Sequence, residues 1–483
     1  MQAVRTSVFL AAVLCLVTWV GPAGAGSGGT KMPSLEGAWL GTLKVPGTEL
    51  RVVFHITAKP DGSLSGTLDS PDQGATGIAI SRIGAENGRV TVEVSAVGGR
   101  YEGTVNAEGS EMSGKWTQGG ISLDLPMKRV KETPRPQRPQ EPRRPYPYLD
   151  EEVTYRNAKD GVTLAGTLTM PRTGAPLPAV ILITGSGAQD RDETVFGHRP
   201  FLILADYLTR RGIAVLRVDD RGVGGSKGDT AQATGEDFAR DVLAGVEYLK
   251  TRKEIDRKRI GLIGHSEGGV IAPLAATRSG DVAFLVLMAA TGVPGDVIIE
   301  KQIANLLKIG GADQAAIDAA VQAQRRVYDI VRNETDPNLA REKIRAIVKE
   351  SLAKLDEKQK EALQGIEGHY VDAQARAATS KWFRFFITHD PKTVLRRVRC
   401  PVLTINGELD KQVLPQDNLP AIEQALREGG NTHVTVKELP GLNHLFQTAR
   451  TGNLDEYGKI EETMSPVALE TIAAWLVSQT SRK

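Results

Sequence analysis

Cysteine is nearly absent, with two residues in 483, Cys15 and Cys400. Cys400 stands between Arg399 and Pro401 at the start of an apolar stretch, with no Cys or His at ligand spacing. A disulfide framework and a thiolate zinc site are both excluded, and a buried, inert thiol is expected. An excess of charge of one sign is also lacking. Sixty Lys plus Arg against 58 Asp plus Glu leave a formal charge of +2, so no global field would steer the chain to nucleic acid or to an anionic membrane. Small neutral or mixed partners are the better fit. There is no HExxH, no CxxC pair and no carboxylate cluster, so neither a metal nor a cofactor is expected. No apolar run is long enough to cross a bilayer. The longest, VFLAAVLCLVTWV (8–20), follows Arg5 and precedes Ala23-Gly24-Ala25. A short apolar run with a basic start and small residues at its end predicts a secretory signal peptide over 1–25, and hence export to the periplasm or the medium. Cys15 would leave with it.

Glycine is plentiful, at 51 residues. Between 34 and 130 it punctuates short stretches that alternate apolar and polar residues, such as Val90, Val92, Val94 and Leu123, Leu125, Met127. With turns every eight to twelve residues, this predicts a small all-β sandwich or barrel of seven runs, LEGAWLGTLKV, LRVVFHITA, GSLSGTLDS, GRVTVEVSA, RYEGTVNA, SEMSGKWTQ and ISLDLPMKR. The stretch 131–149 carries six prolines between Pro134 and Pro147, and it is expected to be an extended, semi-rigid linker.

Beyond it the pattern changes. After a strand pair, PAVILITG, IAVLRVDD, RIGLIGHS, VAFLVLMAA and PVLTING are continuous apolar runs separated by segments of helical spacing. That is the signature of parallel strands covered on both faces, an α/β doubly wound, mostly parallel sheet over 150–483. From about 296 to 395 only helical segments occur, so a helical lid insertion is expected there. Within it, Lys381-Trp382-Phe383-Arg384-Phe385-Phe386 concentrates aromatics in a chain that is only 5% aromatic. It should either anchor the insertion to the core or line an apolar pocket.

Chemistry is suggested by Gly264-His265-Ser266-Glu267-Gly268, between the buried run RIGLIGHS and the helical segment EGGVIAPLAATR. A strand, a sharp turn and a helix are the context in which Gly-x-Ser-x-Gly lifts a serine into the open as a nucleophile. A serine hydroxyl needs a base and an orienting acid. In this architecture they follow the serine in the order acid, then histidine, on loops after later strands. Of seven histidines, His444 is the one on such a loop, after HVTVKELP. His55 lies in the β-rich part, His265 inside the pentad, His433 at a strand start, His198 near a helix start, and His369 and His389 in the insertion. After PVLTING come Glu408 and Asp410, and spacing does not choose between them. The oxyanion of an acyl-transfer intermediate needs two preorganised N–H groups. Glu267 would supply one from its backbone. The other is assigned to Ser186, with Gly187 the alternative, in the small-residue loop Thr184-Gly185-Ser186-Gly187. Asp220-Arg221-Gly222-Val223-Gly224-Gly225-Ser226 lacks Walker spacing and is expected to be structural, with Arg221 tying loops through an ion pair.

GSGAQDRDE (185–193), DDRGVGGS (219–226), GHSEGG (264–269), NGELDKQV (406–413) and LNHLFQ (442–447) together resemble the α/β-hydrolase superfamily. The resemblance, over about 150–480, is to exported bacterial hydrolases grouped with serine aminopeptidases and dienelactone hydrolases. It implies Ser266 as nucleophile, Asp410 as acid and His444 as base. Thr184 stands where many relatives have histidine. The segment 35–130 resembles an accessory domain found on some of these hydrolases. The resulting expectation is an exported serine hydrolase that cleaves small carboxylic esters through an acyl-enzyme. A peptidase or thioesterase on the same fold is the alternative, and a non-catalytic binding protein stands behind both. An exopeptidase would need a charged group to hold a substrate terminus, and no acidic pair stands out in the insertion. The oligomeric state is not legible.

Overall fold

The computed structural model describes residues 33–45, 48–59, 61–71, 75–118, 121–131, 138–355 and 367–481. The expected signal peptide lies outside them. Two compact units emerge, one of residues through Gln137 with Val195–Gly197 and Ile344–Ala375, the other of Arg138–Thr194, His198–Lys343 and Arg376–Lys483.

The first unit holds a 10-stranded antiparallel sheet: β1 (Gly37–Val45), β2 (Thr48–Ala58), β3 (Leu64–Ser70), β4 (Ala75–Ala79), β5 (Arg82–Glu86), β6 (Arg89–Val94), β7 (Gly99–Val105), β8 (Glu111–Gln118), β9 (Ile121–Asp124) and β10 (Met127–Val130). Its order is β4-β3-β2-β1-β10-β8-β7-β6-β5, with β9 also paired to β8. The alternation works as period two requires: Val90, Val92 and Val94 all turn into a core with Trp39, Phe54, Tyr101, Trp116, Leu125 and Met127. Gly99 is needed there, because a Cβ would stand 2.0 Å from the Trp116 ring. The sequence predicts seven runs. The run ISLDLPMKR divides into β9 and β10, while ATGIA (β4) and RIGAE (β5) were missed. Those two are short, poor in large apolar residues and at the ends of the sheet, where the pattern is weakest.

Residues 138–148 contain neither strand nor helix. They are part of the second unit and are bonded within it: Arg138 donates to the Ile460 carbonyl at 2.9 Å and Gln140 to that of Met464 at 2.7 Å.

The second unit is built on an 8-stranded sheet, β11 (Leu149–Asn157), β12 (Val162–Met170), β13 (Leu177–Ile183), β14 (Ala214–Val218), β15 (Ile255–His265), β16 (Phe284–Met288), β17 (Val402–Gly407) and β18 (Val434–Leu439), ordered β11-β12-β14-β13-β15-β16-β17-β18. β12 is antiparallel to β11 and β14, and from β14 onward neighbours are parallel. This is the α/β-hydrolase arrangement. β13 and β16 are buried along their whole lengths because helices cover both faces. Gly235–Thr251, Gly268–Ala276 and Pro415–Glu428 pack on one, Pro200–Thr209 and Pro466–Thr480 on the other. The last helix begins as its sequence predicts, with Pro466 in its first turn and the Ser465 hydroxyl accepting the Val467 N–H.

Between β16 and β17 lie the helices Gly295–Ile309, Gln314–Asn333, Pro337–Ala353, Glu367–Ala378, Lys381–Thr388 and Pro391–Leu395. Among the described residues no helix is long and apolar enough to cross a membrane. Cys400 is partly buried, and burial pushes its thiol up to about 12.

Candidate active site

β15 ends at His265, and Ser266 turns the chain at φ +53° into the helix Gly268–Ala276. A non-glycine residue at positive φ costs about 1–3 kcal/mol and persists only when its surroundings enforce it. Here the Ser266 N–H donates to the Met288 carbonyl on the neighbouring strand at 2.8 Å. The flanking glycines permit the tightness: a Cβ on Gly264 would lie 2.1 Å from the Gly268 carbonyl oxygen, and one on Gly268 2.2 Å from that of Ile183. The serine is half-buried while its neighbours His265 and Glu267 are buried, so the turn presents the serine and hides its flanks.

Asp410 follows β17 and His444 follows β18, and their side chains meet: His444 Nδ1 stands 2.7 Å from Asp410 Oδ2. The other carboxylate oxygen, Oδ1, accepts the backbone N–H groups of Gln412 at 2.8 Å and Val413 at 2.9 Å. One oxygen is thus pinned by the loop and the other is aimed at the imidazole. An acceptor at Nδ1 makes that nitrogen the N–H and leaves Nε2 as the lone pair. Glu408, the other carboxylate on the loop, is exposed and accepts the Gly441 N–H at 2.8 Å.

A second histidine–carboxylate pair lies directly beneath. His265 Nδ1 is 2.9 Å from Glu193 Oε1, and Nε2 is 3.0 Å from the His444 carbonyl oxygen. The rings of His265 and His444 are 4.9 Å apart. Burial opposes charge on His265, but the Glu193 carboxylate and the two hydrogen bonds raise its pKa. Each ring nitrogen thus faces an oxygen, one of a carboxylate and one of a backbone carbonyl. Glu193 Oε1 also accepts the Gly185 N–H at 2.7 Å, so this buried pair joins the loop after β13, the serine turn and the His444 loop. The sequence leaves His265 as the variable residue of the pentad and Glu193 unassigned. With 72 positions between them, no local spacing could have joined them.

The loop 184–189 is held mainly by carboxylates. The Thr184 hydroxyl donates to Asp220 Oδ1 and the Gln189 N–H to Asp220 Oδ2, both at 2.9 Å. Burial, helped by the charges of Glu267 and Glu193 against those two bonds, raises Asp220 to about 7. The Glu267 carboxylate accepts the Trp382 indole N–H at 2.6 Å. Ser186 itself is exposed, and Gly187 adopts φ +99°. The neighbouring segment 219–226 is braced by ion pairs. Arg221 binds Asp241 at 2.7 Å and Asp160 at 2.9 Å, while Arg191 reaches Asp219. Of the other histidines, His198 is buried against Thr463 and Tyr457, and burial first, then the Arg138 charge, push it down to about 4. Among the described residues no group of three or more His, Cys, Asp or Glu is placed to hold a metal.

Residues 160–438 match the family described as X-Pro dipeptidyl-peptidase (S15 family). The chain is similar to the esterase EstD of Thermotoga maritima, at 27% identity over 316 residues, 65% of each chain. It is also similar to the uncharacterized protein YfhR of Salmonella typhi, at 29% over 128 residues, 26% of this chain and 40% of that one. The chain thus spans less than two thirds of the length of either relative. Among solved structures, Est1E from Butyrivibrio proteoclasticus with ferulic acid bound aligns at 18% identity and TM-score 0.39, covering 68% of this chain and all of that one (100%). The α/β hydrolase GrgF from Penicillium aligns at 18% and TM-score 0.42, covering 70% and 100%.

Proposed function

The chain belongs to the X-Pro dipeptidyl-peptidase (S15) family, and from that premise we propose that it is an exported serine hydrolase that cleaves small carboxylic esters through an acyl-enzyme. The observation that carries this reading is the 2.7 Å bond from His444 Nδ1 to Asp410 Oδ2, on the His444 loop whose carbonyl is bonded by His265, the residue before Ser266. In the proposed cycle His444 Nε2 takes the Ser266 proton as Oγ attacks the ester carbonyl. The tetrahedral oxyanion is met by the backbone N–H groups of Glu267 and Ser186. Collapse expels the alcohol, which leaves with the proton from His444. Water, activated by the same nitrogen, then releases the acid and restores Ser266. Asp410 holds the ring in the useful tautomer and stabilises it when charged. No cofactor enters these steps.

Ester specificity is supported by the likeness to EstD, an esterase by name. A peptidase acting on X-Pro substrates is the second reading, favoured by the family description. The experiment is a direct competition: kcat/KM for p-nitrophenyl esters of graded acyl length against X-Pro p-nitroanilides, with mass spectrometry of the chain after a fluorophosphonate. The ester reading expects turnover of short esters at least about a hundredfold above any nitroanilide, a gap of roughly 2.7 kcal/mol in barrier, and a single adduct on Ser266. Faster nitroanilide cleavage would transfer the proposal to peptides. Export, with cleavage near residue 25, is part of the proposal. N-terminal sequencing of the protein from a periplasmic or culture fraction tests it.

A further inference from the structure

The proposed cycle gives no task to the histidine–carboxylate pair buried beside Ser266. The side chains of Glu193 and His265 are 5% and 6% exposed, and each is bonded on two sides. Glu193 Oε1 accepts the Gly185 N–H at 2.7 Å and lies 2.9 Å from His265 Nδ1. Across the ring, Nε2 lies 3.0 Å from the His444 carbonyl oxygen, which can only accept, so this nitrogen donates. Three hydrogen bonds in series thus run from Gly185, the residue before the proposed oxyanion donor, to the main chain of the proposed base. Asp410 holds the same histidine by its ring, so His444 is fixed at two points.

This chain of bonds runs beside the nucleophile. A Cβ on Gly185 would lie 3.2 Å from Glu193 Oε1 and 3.3 Å from the Ser266 Cβ, so the loop is already in contact with the serine, and a small rotation there changes where the next N–H points. The rings of His265 and His444 are 4.9 Å apart. Glu193 and Ser266 share φ +53°, a conformation disfavoured for a residue with a side chain and kept where its surroundings enforce it. Burying a carboxylate and an imidazole is costly, and two apolar side chains of similar volume would often hold a core as well or better. What the polar pair adds is direction, because it sets the loop after β13 and the loop after β18 at fixed distances from one another.

We propose that Glu193 and His265 are positioning residues that act as one unit, holding the oxyanion loop through Gly185 and the base through the main chain of His444 in register around Ser266. This rests on the assignment of Ser266 as nucleophile. With the unit intact, the donor loop and the imidazole keep one geometry through the cycle. With it cut, each loop settles by itself and the relation between them is lost.

The test uses the full chain and p-nitrophenyl butyrate, with kcat counted per site labelled by a fluorophosphonate so that unfolded molecules do not enter. Glu193→Met keeps length and removes the acceptor of both bonds. His265→Asn places an amide near the Nδ1 position and leaves the His444 carbonyl without its donor. Misplacing a reacting group by about 1 Å can cost on the order of 100-fold, so each variant should lower kcat roughly 10- to 100-fold with KM within about threefold, as expected for geometry that matters in the transition state. Glu193→Gln keeps an oxygen for Gly185 and His265→Gln places an amide nitrogen near the Nε2 position for the His444 carbonyl, so each should recover part of the loss. Glu193→Met and His265→Asn combined should be no worse than the poorer single variant by more than about threefold, since the relation of loop to base can be lost only once. A lowered Tm with unchanged kcat per labelled site would reduce the pair to a structural bolt and overturn the proposal. Fully multiplicative losses, or a raised KM at unchanged kcat, would overturn it as well. If Glu193→Met fails to fold, His265→Asn against His265→Gln carries the comparison. Ser266→Ala is run beside them. Turnover that survives it overturns the nucleophile assignment and this inference together, whereas turnover that depends on Ser266 but ignores the pair removes the positioning role alone.

Discussion

Replacing Asp410 by Asn changes one atom, and the structure says what that atom does. Oδ1 is committed to the N–H groups of Gln412 and Val413. An asparagine that keeps those two bonds must present its NH2 to His444 where Oδ2 stood at 2.7 Å. Two donors cannot face each other, so the imidazole must move its proton to Nε2 and offer Nδ1 as acceptor. The nitrogen meant to take the Ser266 proton then already carries one. In a comparable serine triad this tautomer error costs on the order of ten-thousandfold in turnover, or about 5.4 kcal/mol in barrier. Glu408→Gln supplies the control. Glu408 is exposed and accepts one backbone N–H from Gly441, a bond that the glutamine oxygen can keep, so turnover should change by no more than about tenfold, or 1.4 kcal/mol. The assay is kcat/KM on one activated ester, with thermal denaturation to establish that each variant is folded. A folded Asp410→Asn protein retaining more than about a tenth of wild-type turnover would refute the assignment. A larger loss in Glu408→Gln would move the orienting acid to that residue.

Four further outcomes are expected. Ser266→Ala should abolish ester turnover and phosphonate labelling without lowering the Tm, since it removes one oxygen from a half-buried position; a residual rate above about a thousandth of wild type would count against the acyl-enzyme route. Asp220→Asn should flatten a pH dependence of stability. Burial raises this acid to about 7, so the folded protein holds a proton that the unfolded chain has released, and stability falls as pH rises from about 4 to 7. The Tm of the variant minus that of wild type should therefore grow across this window, and a constant difference would reject the shift. Gln140→Ala removes an oxygen that accepts the Thr463 and Met464 N–H groups at 2.6 and 3.1 Å and a donor to the Met464 carbonyl at 2.7 Å. Stability should drop by about 1–3 kcal/mol in a urea titration, and no loss would mean that the segment is a passive spacer. Gly264→Ala should leave little soluble protein, because its Cβ would meet the Gly268 carbonyl oxygen at 2.1 Å; normal yield and Tm would show that the turn relaxes more easily than its packing implies.

What is local, or ordered along the chain, was legible from the amino-acid pattern. Apolar runs such as PAVILITG and FLVLM announce strands buried on both sides because a strand covered by helices has no solvent face to write a polar period. The turn at Ser266 was legible because glycine four residues apart, between a buried run and a helix, is a local steric requirement. Acid before histidine, on loops after β17 and β18, was legible as order. Composition and period do not choose between Glu408 and Asp410, and the family resemblance implied Asp410; the folded chain shows that it is the Asp410 carboxylate that meets His444. They lie two residues apart, and the choice depends on which one the loop aims at His444, a direction with no trace in composition or period. The same holds for Glu193 with His265, 72 positions apart, and for Glu267 with Trp382, 115 apart. Strand and helix patterns repeat because the backbone repeats. A buried polar pair is made once, wherever two distant segments happen to pack, and its partners are known only when the chain is folded.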